Sequence, residues 1–215
     1  MKKINFIAIL TLLLVTYNTS AQSAKHFLDQ VSAKIKSYNN ISIKFENTLD
    51  NTEANIHQSV SGTAVLQGDL YQFEFLGAKQ FFDGKKVYLI LEEDEEVIIK
   101  QPNSEEKGTV TPSEMLTFYE DGYTYEMDIT QNIDGKEIQF VKLIPIDSNS
   151  EYSSILLGVE KSTKHIYKVI QSGKDGTVTS FTIKSFLTNQ TIDPKLFVFN
   201  RSEYESKDFD ITEPK

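Results

Sequence analysis

The side chains best suited to chemistry are few and widely spaced in this sequence. The three histidines, His26, His57 and His165, lie far apart, and none has the spacing of a zinc-binding motif. The chain has no cysteine, which excludes thiol chemistry, disulfides and iron–sulfur clusters. Nucleophile-elbow, phosphate-loop and dinucleotide-binding motifs are missing from the sequence. The sequence therefore predicts no catalytic residue, metal or cofactor and favours a non-enzyme, although a Ser–His–Asp set assembled only by folding stays open.

The densest charge run is acidic and consists of Glu92-Glu93-Asp94-Glu95-Glu96. It lies between two apolar segments, which is typical of a solvated hairpin loop. The alternative is a divalent-ion site, but the run lacks the spaced Asp, Asn and Gly residues of a calcium loop.

Composition limits the class of protein further. With 215 residues, 39% hydrophobic and 25% charged, the chain suits one globular domain. Its 22 basic and 31 acidic residues give a formal net charge of -9. Such an acidic chain is a poor candidate for binding nucleic acid, since phosphate neutralisation requires a basic surface.

The N-terminus has the pattern of an export signal. A basic start, Met1-Lys2-Lys3, precedes an apolar run over residues 4–15, which is shorter than the roughly 20 residues that span a bilayer. Thr19-Ser20-Ala21 then offers small residues for cleavage after Ala21. We expect residues 1–21 to be removed and residues 22–215 to be an exported, soluble, single-domain protein; the alternative is an uncleaved N-terminal anchor.

Periodicity predicts one helix followed by many strands. Ser23 could cap a helix that ends at Asn39-Asn40, with an apolar face at helical spacing formed by Ala24, Phe27, Leu28, Val31, Ile35 and Tyr38. Strict alternation then predicts strands over residues 41–46, 71–75 and 123–130. Further strands are expected near residues 58–67, 86–91, 96–101, 137–144, 154–161, 165–171, 177–186 and 196–199.

Turn signals and one helix start organise these segments. Asp83-Gly84, Asp134-Gly135 and Asp175-Gly176 are typical of hairpins, and Gln67-Gly68-Asp69 of a tight turn. Thr111-Pro112-Ser113-Glu114 predicts a short helix to about Tyr119. The order predicts a mainly β antiparallel meander with helices against one face, followed by a polar tail over residues 201–215.

The aromatic residues raise the question of function. The chain has 14 Phe, 10 Tyr and no Trp, and many lie on the apolar faces of alternating strands. One interpretation is an ordinary packed core or a second sheet. The other is a curved sheet whose apolar concave face binds a ligand. Periodicity alone does not separate the two.

Several segments, in the same order along the chain, resemble one family. They are Tyr38-Asn39-Asn40 with the following strand, residues 62–66 and 70–73, Phe82-Asp83-Gly84-Lys85-Lys86-Val87-Tyr88, residues 111–116, Lys142-Leu143-Ile144-Pro145, Asp175-Gly176-Thr177 and residues 189–199. Together they make the chain similar to the LolA-type outer-membrane lipoprotein carriers over nearly all of its predicted mature length.

The resemblance implies an incomplete β-barrel, a single curved antiparallel sheet, with an N-terminal and a mid-chain helix as a lid over the apolar concave face. It further implies a periplasmic monomer that takes acylated lipoproteins from an inner-membrane ATP-driven (ABC) transporter to an outer-membrane receptor or membrane. A different lipid cargo, or a secreted β-rich interaction protein with a filled core, are the alternatives. The candidate lipid-binding residues are Phe27, Val31, Ile43, Phe45, Val65, Tyr71, Phe73, Phe75, Met115, Leu116, Tyr123, Tyr125, Phe181 and Ile183.

One departure from the family concerns lid gating. Many members carry an arginine, often before a proline, in the turn after the second long strand, where it helps to hold the lid shut. Here that turn is Gln67-Gly68, and the only arginine of the chain is Arg201. Gating by that residue is therefore not expected here.

Overall fold

The structure is a computed structural model that describes residues 17–102 and 112–213. The apolar run over residues 4–15 and the predicted cap Thr111 lie outside the described residues. Within them, no helix is both long and apolar enough to cross a membrane. The elements are α1 Tyr17–Lys36, β1 Ile41–Asn51, β2 Ile56–Gln67, β3 Leu70–Phe75, β4 Ala78–Phe82, β5 Val87–Leu91, β6 Glu96–Lys100, α2 Pro112–Thr117, β7 Tyr123–Ile133, β8 Lys136–Pro145, β9 Tyr152–Glu160, β10 Ile166–Gly173, β11 Val178–Thr188, α3 Arg201–Glu205 and β12 Asp210–Thr212.

Helix α1 already includes Tyr17, the first described residue, six residues before the predicted cap Ser23, so the prediction of that cap is wrong. No proline or glycine interrupts residues 17–23, and the helix continues upstream for that reason. Four residues of its predicted apolar face, Ala24, Leu28, Val31 and Ile35, are buried. Phe27 is half-buried, and Tyr38 lies outside the helix, which ends at Lys36 and not at the predicted Asn39-Asn40. The helix packs against β7.

The chain divides into two compact units, and the first comprises the chain up to Lys36 together with Tyr119–Val178. Its strands run in the order β10-β9-β8-β7, and each neighbouring pair is antiparallel. Asp134 and Gly135, with φ of 52° and 81°, form the tight turn between β7 and β8, as predicted. The register pairs Leu143 with Tyr125 and with Ile155, which places all three on one apolar face.

The second unit comprises Ser37–Phe118 and Thr179–Lys215. Its strands run in the order β12-β6-β5-β4-β3-β2-β1-β11. The predicted turns at Gly68-Asp69 and Asp83-Gly84 join neighbouring antiparallel strands. The hairpin of β3 and β4 escaped prediction because its turn is Leu76-Gly77, with φ of 53° and 75°, and leucine rarely adopts that left-handed conformation.

The C-terminal part of the second unit differs from the sequence predictions. Residues 196–199 were expected as a strand, but a 3₁₀ turn spans Pro194–Phe197. Pro194 fixes its own φ at a helical value, and Asp193 caps the turn by accepting a hydrogen bond from the Lys195 N–H at 2.9 Å. The polar tail contains α3 and β12, and β12 pairs with β6 in parallel, so the sheet is mixed.

The predicted fold class is confirmed in its main terms. The chain is mainly β, with an open sheet, an N-terminal helix and a short mid-chain helix. That residues 22–215 behave as a single domain remains a prediction.

Candidate functional site

Strand register in the second unit separates two apolar faces of the same strands. Phe73 of β3 lies opposite Ala64 of β2 and Gln80 of β4, and these share what we call the front face. Gln72 lies opposite Phe81, and these share the back face. Because side chains alternate along a strand, neighbouring aromatic residues serve different faces.

The back face is closed by the C-terminal segment of the chain. Its buried residues Phe81, Tyr88, Ile90, Val97 and Ile99 form one cluster with Tyr204 of α3, and Phe199, Phe209 and Ile211 pack against it. Ring centroids of Phe199 lie 4.6 Å from Tyr88 and 5.5 Å from Tyr204. Burial, together with a 2.9 Å hydrogen bond to Asp83, raises the pKa of Tyr88 to about 12. This face is an ordinary filled core.

The front face is only half-buried. Between β3 and β6 it carries a continuous set of large apolar side chains, none of them fully buried: Phe73, Phe75, Phe82, Val87, Leu89, Leu91 and Ile98. Partly exposed apolar side chains that lie side by side are typical of a surface that binds another apolar molecule.

An aromatic cluster stands at one end of the front face. The Phe45 ring, 2% exposed, has centroid distances of 4.3 Å to Phe181, 5.6 Å to Phe75 and 5.8 Å to Phe73. We call these four residues the Phe45 cluster. A Cβ at Gly62 would overlap the Phe45 ring and lie 2.7 Å from the Glu74 carbonyl oxygen. Glycine at this position therefore allows the ring to lie across β2.

A groove of about 740 Å³ opens beside the Phe45 cluster, at the end of the β3–β4 hairpin. Its apolar lining includes Phe45, Phe75 and Leu76, and Leu76 is 68% exposed. Lys44, Lys79 and Lys184 also line it, together with Glu74 and Glu92, so the groove has both an apolar and a charged lining. A groove with an apolar lining and a few charged groups is typical of sites that bind a flexible apolar chain.

The structure brings together most of the predicted site residues of the second unit. Ile43 and Ile183 are buried, and Phe73, Phe75 and Phe181 belong to the Phe45 cluster. Tyr71 also lies on the front face but is buried, and it accepts a 2.7 Å hydrogen bond from Gln80. Burial raises the pKa of this tyrosine.

Of the three other predicted residues of this unit, only Val65 is placed on a different face. Val65 lies opposite Gln72, which puts it on the back face and not with Phe73. Leu116 of α2 is buried and Met115 is half-buried, in a helix that packs against β2.

The four predicted residues of the first unit lie on α1, which carries Phe27 and Val31, and at the start of β7, which carries Tyr123 and Tyr125. Val31 is buried, and Phe27 is half-buried with the Lys164 ammonium 4.5 Å from its ring centroid. Tyr123 and Tyr125 are half-buried. The Tyr125 hydroxyl donates hydrogen bonds of 2.9 Å to the carbonyl oxygens of Tyr119 and Glu120. Tyr125 also lines a hollow of about 440 Å³ beside α1.

Sequence reasoning missed the part of the front face beyond β3. Phe82, Leu89, Leu91 and Ile98 belong to it, but residues 87–91 and 97–99 are unbroken apolar runs. An unbroken run carries no signal of which residue faces which side. Only the register with Phe73 assigns them.

Acid stability gives one test of the first unit. Lys36 lies 2.8 Å from Glu120, and with a hydrogen bond from Ser32 it lowers the pKa of that carboxyl. A lowered native pKa contributes stability above the ordinary carboxyl pKa of about 4.3 and loses it as the pH falls through the native value. We expect Glu120→Gln to lower the melting temperature at neutral pH and to flatten its decline between about pH 5 and 3.

Thermal melts of the parent, Glu120→Gln and the exposed control Glu126→Gln across this pH range measure the effect. An unchanged pH profile for Glu120→Gln would show that the ion pair with Lys36 adds nothing to stability.

An open β-sheet protein with one sealed apolar face and one half-open apolar face is typical of proteins that bind a hydrophobic ligand. The chain belongs to the LolA family, whose sequence model, described as outer membrane lipoprotein carrier protein LolA, matches residues 36–200. That description is of a carrier and not of an enzyme. No curated protein matches the chain.

The first two of three similar solved structures support the fold at low sequence identity. An uncharacterized conserved protein from Thermus thermophilus is 11% identical with a TM-score of 0.56, covering 89% of this chain and 99% of its own. LprF from Mycobacterium bovis is 13% identical with a TM-score of 0.52, and the match covers 81% of this chain and 97% of LprF. The LolA superfamily protein NE2245 from Nitrosomonas europaea is 13% identical with a TM-score of 0.43, and the match covers 84% of this chain and 98% of NE2245.

Proposed function

We propose that this protein is a periplasmic carrier that binds the acyl chains of lipoproteins on the front face and moves them from the inner to the outer membrane. In this proposal residues 1–21 direct export and are removed. The carrier receives its cargo from an inner-membrane ABC transporter and delivers it to an outer-membrane receptor or membrane.

The observation that carries the proposal is the difference between the two faces of β3 to β6. The back face is sealed by residues of the same chain, whereas the front face keeps seven large apolar side chains only half-buried. Each acyl methylene exposed to water costs about 0.8 kcal/mol, so a fatty chain gains by covering this face. Membership of a family described as lipoprotein carriers supports lipoproteins as the cargo class.

Carrying a lipid requires no reaction. A surface of Phe, Leu, Ile and Val contacts a hydrocarbon chain without specific hydrogen bonds, and it therefore accepts chains of different length. Release follows when a downstream site binds the cargo more tightly. The candidate site accordingly needs no catalytic group, and its polar residues take no part in a reaction.

Lipoprotein release is the direct test. Added to spheroplasts of a Gram-negative bacterium, the mature protein is expected to release newly made lipoproteins into the medium as soluble complexes. We expect Phe73→Glu to release few, because a carboxylate on the front face opposes burial of an acyl chain. Val198→Glu is the matched control, since Val198 is 63% exposed and does not line the groove.

Immunoblots of the medium for a lipoprotein distinguish the outcomes. Release by the parent no greater than by an unrelated acidic protein would contradict the lipoprotein carrier. Native mass spectrometry of the same preparation would then show whether another lipid occupies the protein, or whether it is an empty interaction module.

A further inference from the structure

Strand β2 extends well beyond its neighbour β3. Its partner β1 pairs with it over its full length, from Asn51 opposite Ile56 to Ile41 opposite Leu66. Strand β3, in contrast, pairs only with residues 63–67 of β2. Within residues 17–102 and 112–213, no strand pairs with the other side of residues 56–61. We call this stretch the β2 edge.

The backbone of the β2 edge presents alternate hydrogen-bonding groups outward. Gln67 and Leu70 flank the two-residue turn Gly68-Asp69, and residues in that position exchange both backbone hydrogen bonds. Hydrogen-bonded positions alternate along an antiparallel strand. The N–H and C=O groups of Ser61, Ser59 and His57 therefore point towards the open side, as those of Gln67 point towards β3.

The β2 edge lacks the features that normally protect an exposed strand. Residues 56–61 are Ile-His-Gln-Ser-Val-Ser, without a lysine, a carboxylate or a proline. The register with β1 is unbroken, so no bulge twists the edge away. At the other end of the unit, by contrast, β12 covers the edge of β6. An unprotected edge of this length is suited to accept an added strand.

The β2 edge leads directly into the groove beside the Phe45 cluster. Val60, Ser61 and Gly62 line the groove together with Phe45 and Phe75. A chain whose acyl anchor lies on the front face would leave through this groove and pass along the β2 edge. Six residues of strand measure about 20 Å, which is enough for several backbone hydrogen bonds.

We propose that the β2 edge binds, as an added strand, the extended polypeptide that directly follows the acyl anchor of a lipoprotein. This inference rests on the proposed function and names how the same site recognises the protein part of its cargo. Recognition runs through the backbone of the cargo, so it imposes no sequence requirement. It also distinguishes a lipoprotein from a free fatty acid, which has no backbone to pair.

Three probes separate the lipid and the peptide contributions: palmitate, a short N-palmitoylated peptide of serine and asparagine, and the same peptide with alternate backbone nitrogens methylated. We expect the parent to bind the unmodified lipopeptide about tenfold more tightly than palmitate or the methylated lipopeptide, which corresponds to one or two net hydrogen bonds. Ser61→Pro removes an outward N–H at a position where an edge strand tolerates proline, and should abolish this difference. Ser61→Ala keeps the N–H and should preserve it.

Equal affinity of the parent for both lipopeptides, or a tenfold preference that persists in Ser61→Pro, would overturn the proposal. The methylated probe gives this answer on the parent alone, even if Ser61→Pro fails to fold. Failure to bind palmitate would contradict the proposed function instead, and that result is read separately from the peptide difference. A parent dimer that Ser61→Pro converts to a monomer would overturn the proposal by assigning the edge to a second copy of the chain.

Discussion

Phe81→Glu is expected to unfold the protein, whereas Phe73→Glu is expected to leave it folded and unable to bind an acyl chain. Phe81 is 3% exposed in the sealed back-face cluster, where a carboxylate would be buried without a partner. Such burial costs several kcal/mol, a large part of a typical stability of about 5–15 kcal/mol. Phe73 lies on the neighbouring strand but on the half-open front face, where a carboxylate can reach water.

Urea unfolding followed by circular dichroism, with displacement of a fluorescent fatty acid, measures both outcomes. Val198→Glu should match the parent in both, because its side chain is already in water. Global unfolding of Phe73→Glu would show that the front face is an ordinary packed core and not a binding surface. A folded Phe73→Glu that still binds the fatty acid would remove this residue from the site.

Local signals in the sequence are sufficient to predict most of the strands and helices of this fold. Alternation and turn residues such as Asp134-Gly135 locate the long strands, because both depend on residues close together in the chain. Strand β4 was missed since its hairpin turn uses Leu76 in a left-handed conformation. Residues 194–197 contain strand-forming apolar residues, but proline and the Asp193 cap bend them into a 3₁₀ turn.

The candidate site depends on information that periodicity does not contain. The sequence predicts that Tyr71, Phe73 and Phe75 share a face, and the structure has them so. It does not say which face of β5 and β6 joins them, because both faces of these strands are apolar and pairing partners lie far apart in the chain. Val65 shows the same limit, since its register partner Gln72 assigns it to the back face.

The difference between the faces originates in the last residues of the chain. The family match ends at residue 200, and the segment beyond it supplies Tyr204, Phe209 and Ile211 to the back-face cluster. Composition marks this segment as polar, yet its few apolar residues are those that pack. In the proposed carrier it limits the lipid to a single face by filling the other.

Ending the chain at Asn200 is therefore expected to cause severe destabilisation and self-association. The truncation removes β12 from the edge of β6 and uncovers Tyr88, Ile90 and Val97. Loss of one buried aromatic side chain alone costs about 3 to 5 kcal/mol. The uncovered β6, with the apolar run Val97-Ile98-Ile99, becomes an unprotected edge that can pair with other chains.

Urea unfolding and sedimentation velocity measure the two effects of this truncation. Arg201→Gln is the matched control within the same segment: it breaks only an exposed 2.9 Å ion pair with Glu205 and should change stability by less than about 1 kcal/mol. Tyr204→Ala should reproduce the loss of stability without freeing the edge of β6, since β12 remains in place. It is therefore expected to stay monomeric, whereas the truncated chain associates. A truncated chain that is monomeric, with the parent's urea midpoint, would show that residues 201–213 do not seal the back face.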